Sequence, residues 1–162
     1  MTPAPQRRYV VFVSYLLAGL ESGILGGLAA LGWFAVNSLW LGQSVWAAPY
    51  WLGATLGVAA PAPRGYPLVS LAGMAFHLSM AGGLGMCFGL AAREARRFLR
   101  VVLLALSMGL TAYYLNMHFL DRQRELAAVV SPARRSLLVA HLLFGAFLTR
   151  YPRLLRSVRD SL

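Results

Sequence analysis

Charge is what this sequence has least of. Only 12% of its 162 residues are Asp, Glu, Lys or Arg, about half the share a water-facing domain carries. There are five acidic residues, no lysine and a single cysteine, Cys87. Each shortage excludes a class. A surface so poor in charge cannot coat a soluble globule, and an apolar share of 59% is too high for a disordered chain. A lone thiol supports neither a disulfide framework nor a cysteine-rich zinc module. Five carboxylates leave little material for acid–base chemistry, and a Walker loop, a dinucleotide fingerprint, a zinc-protease helix and a nucleophile elbow are all missing. Ser70, Ser79 and Ser107 read as small packing residues rather than nucleophiles. The expectation is a protein without catalytic activity.

What the chain has in abundance is apolar length. Mean hydropathy is +0.62, and four apolar runs stand between Arg and Pro residues: Tyr9–Phe34, Pro67–Ala92, Phe98–Phe119 and Pro132–Thr149. At 1.5 Å per residue the first three cover a hydrocarbon core of about 30 Å, and the fourth is marginal. No period-two alternation marks them as barrel strands. The expected fold is all-α: a single integral membrane domain over residues 1–162, built as a four-helix bundle. Arg7-Arg8 ahead of the first run imitates a secretory signal, but the run is far longer than a signal core, so it is read as an uncleaved span.

The net charge of +10 comes entirely from 15 Arg. In a soluble protein it would suggest nucleic acid; here it reports topology and contact with anionic lipid, and no nucleic-acid partner is expected. With four crossings, ten Arg fall on the side of the termini and the second-to-third loop, and five on the other. The positive-inside rule then puts both termini in the cytoplasm of a bacterial inner membrane. The segment Leu41–Tyr66 holds Trp46, Tyr50 and Trp51 with one charge, Arg64, and Pro49, Pro61, Pro63 and the following Pro67, with Gly53, Gly57 and Gly65, prevent one continuous helix. It reads as short interfacial pieces at headgroup level, with a re-entrant lid as the alternative.

Small residues recur at helical spacing. Gly19, Gly23 and Gly27 form one stripe on the first span; Gly73, His77, Ala81, Gly85 and Gly89 form another on the second; Gly145 lies one turn after His141 on the fourth. Such stripes let backbones approach closely where lipid removes the hydrophobic drive between helices.

Polar residues inside these runs are expensive and are therefore candidates for function. Glu21 and His77 both come out near the bilayer midplane, with Tyr113, Tyr114, Asn116 and His141 slightly above it. His77, sharing the small-residue stripe, should turn inward and bond to Glu21, Tyr113, Tyr114 or His141. Three readings stay open for this layer: hydrogen bonding between helices, a b-type haem ligated by His77 and His141, and a quinone or proton-relay site. No metal site is expected, because three scattered His and one Cys give no recognised ligand spacing.

The Gly19–Gly27 opening with Trp33-Phe34, the turn Ser44-Val45-Trp46 to Pro49, the stretch Gly73–Leu78, Tyr113-Tyr114-Leu115 and the ending His141–Gly145 with Arg150-Tyr151-Pro152 together resemble small bacterial four-span inner-membrane proteins. That resemblance implies the architecture and carries no activity with it. From these residues the leading expectation is a non-catalytic accessory subunit of a larger membrane complex, of the respiratory or photosynthetic electron-transfer kind. Its partners would be membrane lipids and other integral subunits. It would have no cofactor of its own, and a bound lipid or pigment is compatible with its surface. The alternative is a small electron-transfer protein binding haem b or quinone through His77 and His141.

Overall fold

The structure is a computed structural model and describes residues 4–54, 67–95, 97–122 and 134–161. Within them every regular element is helical: α1 (Ala4–Trp40), α2 (Ala47–Ala54), α3 (Pro67–Ala91), α4 (Phe98–Arg122), α5 (Arg134–Leu148) and α6 (Tyr151–Ser161), with a 3-10 turn, Ala92–Glu94, following α3. Three stretches are long and apolar enough to cross a membrane, Tyr9–Trp40, Leu68–Glu94 and Phe98–Phe119. Leu28, Val36, Leu103, Leu110 and Leu115 are exposed along the outer faces, which suits lipid rather than water.

Helix α1 is longer than the expected Tyr9–Phe34. No Pro or Gly interrupts the chain between Phe34 and Leu41, so the helix continues until Gly42, whose φ of 67° ends it. Gln43 N–H donates to Ser38 O at 2.8 Å and Gly42 N–H to Leu39 O at 3.0 Å, the paired bonds of a Schellman cap. Helix α3 starts on Pro67, where a missing N–H costs nothing. The interfacial segment contains one helical piece, α2; residues 55–66 of that segment, including Arg64, lie outside the described residues, as do Arg96, Arg124 and Pro132.

The fourth run departs further from expectation. Helix α5 has 15 residues, a length of about 22 Å against a core of about 30 Å. It stops at Leu148 because Pro152 has no N–H to extend the ladder. What reads in the sequence as an Arg-rich tail is instead the amphipathic helix α6. Its Leu154, Leu155 and Val158 pack against the core, while Arg153, Arg156 and Arg159 stay exposed.

Helix α1 is central: α3, α5 and α6 all pack on it, α4 packs on α5, and α2 lies against the start of α3. Glycine sets the closeness of the α1–α3 crossing. A Cβ at Gly85 would meet the Gly19 carbonyl oxygen and stand 2.7 Å from the Gly23 Cα, and one at Gly23 would meet the Ala81 carbonyl oxygen. Gly109 and Gly145 do the same between α4 and α5, where their Cβ atoms would come within 2.5 Å of His141 O and 2.8 Å of Ala105 O. The largest buried side chains, Tyr151, Phe88, Leu148 and Val101, gather at the end of the bundle where α6 lies.

Candidate functional site

Helices α3 and α4 touch only sparingly, and the gap between them belongs to a cavity of about 410 Å3 walled by α1, α3, α4 and α5, with Leu52 of α2 also lining it. Its lining is overwhelmingly apolar. The polar groups on its wall are His77 from α3, Asn116 from α4 and His141 from α5.

Hydrogen-bond partners fix the chemistry of these three groups. His141 Nδ1 lies 2.8 Å from the Leu137 carbonyl oxygen, which can only accept, so Nδ1 carries the proton. Neutral His141 then accepts at Nε2, and Asn116 Nδ2 donates to it at 2.9 Å. Both ring nitrogens are thereby engaged. Tyr113 sets its ring edgewise on the same imidazole, with centroids 5.9 Å apart. His77 Nε2 lies 3.1 Å from the Gly27 carbonyl oxygen and donates to it. In the neutral ring this leaves Nδ1 as an acceptor with no partner among the described residues. The Asn116 carbonyl oxygen and its second N–H are likewise uncommitted among those residues.

The sequence-derived layer therefore needs correction. His77 faces inward as expected, but its partner is the Gly27 backbone and none of the four polar side chains proposed for it. Glu21 does not belong to the layer at all: it lies exposed on the outer face of α1, with no hydrogen bond or ion pair among the described residues. Tyr114 also points outward, 63% exposed, although its ring touches Tyr113 edgewise. Tyr113 and His141 do come together.

Asn116, which the sequence places in the outer half of the spans close to this layer, is the residue that bonds to His141. Its signal was its place one turn after Ala112 on the α4 face that meets α5, beside Tyr113. No group of three His, Cys, Asp or Glu residues able to hold a metal occurs among the described residues. His77 and His141 share one cavity, yet the Nε2 of each is held by a hydrogen bond, and His141 has no free nitrogen to offer an iron.

Compared with known proteins, the chain matches no family model, no curated protein and no solved structure. The functional reading rests on the residues themselves.

Proposed function

We propose that the protein is a non-catalytic accessory subunit of a larger membrane assembly, with electron-transfer complexes of the respiratory or photosynthetic kind the class to test first. The observation that carries this is Glu21. It sits mid-way along the apolar stretch Tyr9–Trp40 and faces outward. An acidic side chain near the bilayer centre costs about 2.5–3.5 kcal/mol, and such residues normally face a protein interior or a partner. The described residues supply none. A helix from another subunit, donating a hydrogen bond or a cationic group to Glu21, would offset the cost.

The surrounding face fits such a contact. Val10, Leu17, Glu21, Leu28, Gly32 and Leu39 share one exposed stripe, and a Cβ at Gly32 would meet nothing within 4 Å. Position 32 thus has room for a neighbouring backbone.

In this reading α5 is the fourth crossing and both termini are cytoplasmic, in a bacterial inner membrane. Local thinning of the bilayer and snorkelling of Arg135 and Arg150 at its two ends accommodate the shortness of α5. Among the described residues, Arg93, Arg97, Arg100, Arg150, Arg153, Arg156 and Arg159 are exposed around the end of α3, the start of α4 and α6, against Arg134 and Arg135 at the start of α5, the bias that the positive-inside rule requires of a cytoplasmic face.

A photo-crosslinking residue at Leu28, on the Glu21 face, is expected to give a discrete heavier adduct in native membranes, whereas one at Leu103 on α4 gives none. Glu21→Gln, which keeps hydrogen bonding, should retain the adduct and Glu21→Leu should lose it. Crosslinks to lipid alone from both positions would defeat the proposal.

A further inference from the structure

We infer that the cavity between α3 and α4 is a binding site for a neutral aromatic lipid of the quinone or quinol class. This goes beyond the subunit reading and stands independently of it.

Size comes first. At about 410 Å3 the cavity falls within the roughly 300–1,000 Å3 of small-molecule sites, and its lining is apolar with a few polar groups, as such sites require. Four phenylalanines, one each from α1, α3, α4 and α5, surround it: Phe34, Phe76, Phe119 and Phe144. Their rings favour edge or offset contact with another flat ring. No charged side chain lines the cavity among the described residues, so an ionic ligand would be desolvated without compensation. The ligand is therefore neutral.

The polar groups then select the head of that ligand. His77 Nδ1 accepts, the Asn116 carbonyl oxygen accepts and the second Asn116 N–H donates; none is used by the fold among the described residues. They come from two different helices. A ring bearing an oxygen at each of two opposite edges, as hydroxyl or carbonyl, can bond to both walls at once. An acyl chain would fill the volume and leave these groups unpaired, which is the costlier outcome. Haem ligated by both histidines would have to displace a bond that already holds His141, whose two ring nitrogens are both engaged.

The way in matches the chemistry. Phe76, Met80, Leu115 and Phe119 line the cavity and are also exposed on α3 and α4. The opening thus lies on a lipid-facing flank, through which an isoprenoid tail can extend into the bilayer.

The test is titration of the purified full chain, in nanodiscs of neutral phospholipid, with decylubiquinone and its quinol, using intrinsic tryptophan fluorescence and equilibrium dialysis. Decylbenzene, which has the tail and ring without the oxygens, and haemin are titrated in parallel. Saturable binding of the quinone or quinol at one per chain is expected, with at least a tenfold loss in Asn116→Leu and in His77→Leu and no competition by decylbenzene. Asn116 is exposed, so its replacement keeps the test decisive if His77→Leu fails to fold. The inference is overturned by absence of saturable binding, by equal competition from decylbenzene, by unchanged affinity in Asn116→Leu, or by one haemin per chain giving a Soret band that His77→Leu abolishes.

Discussion

The Tyr151 hydroxyl donates to the Gly89 carbonyl oxygen at 3.0 Å, joining the first turn of α6 to the last turn of α3, where carbonyls run out of intrahelical donors. The Tyr151 ring meets Phe88 edge-on at 5.7 Å. Arg159, further along α6, stands over the Tyr15 ring of α1 at 5.2 Å, so one short helix ties two spans together at the basic end of the bundle.

That hydroxyl makes stability depend on pH in the alkaline range. Burial, with a further push from Tyr15 and a smaller opposing pull from Arg159, raises the Tyr151 pKa from 10.0 to about 12. The folded state thus holds its proton more tightly than the unfolded chain does. Its contribution is fully present below pH 10 and is lost as pH rises toward 12, on the order of 2–3 kcal/mol in total. Thermal unfolding in detergent should show a decline across this window that Tyr151→Phe removes. The same variant should lose about 0.5–1.5 kcal/mol at pH 8, where the hydrogen bond alone is missing.

Two glycines on α3 should respond in opposite directions. Gly85→Leu drives a side chain into the α1 backbone at Gly19 and Gly23, and should destabilise by about 1–3 kcal/mol. Gly83, two residues earlier, has nothing within 4 Å of an added Cβ, so Gly83→Ala should stabilise by about 0.5–1 kcal/mol through helix propensity. Melting temperatures compared in one detergent decide the matter; a neutral Gly85→Leu would mean that the α1–α3 crossing opens without cost.

Between α1 and α5 the link is polar. Trp33 Nε1 donates to both the Ser136 carbonyl oxygen and Ser136 Oγ, each at 3.0 Å. Trp33→Phe should cost about 1 kcal/mol, and Ser136→Ala distinctly less because the carbonyl still accepts. Equal losses in chemical unfolding would show that the hydroxyl is the principal acceptor.

Orientation is accessible to labelling in a Cys87→Ala background. Ser44→Cys, just after α1, should react with an impermeant maleimide in whole cells, and Arg97→Cys, just before α4, should react only after lysis. The reverse pattern inverts the topology proposed from the Arg distribution.

Helicity and the candidate spans are legible in the sequence because a bilayer sets the length and hydropathy of each crossing separately, whatever its neighbours do. Gly42 as a stop and Pro67 as a start are local backbone properties and are legible for the same reason. The rotation of each helix is not. Glu21 and Ser22 are adjacent in an apolar run, and about 100° about the helix axis separates an exposed carboxyl from a hydroxyl that is buried and bonded to Gly19 O at 2.9 Å.

The sequence by itself determined a helical chain suited to a membrane, the small residues at which backbones could meet, and the inward turn of His77. Only the tertiary structure decided that Glu21 faces outward, that Asn116 joins His141 at the cavity wall, and that the Arg-rich ending folds back as α6. The physical reason is that these outcomes depend on which helices pack together and at what angle. Packing is a property of pairs of surfaces, and no single stretch of sequence contains its partner's surface.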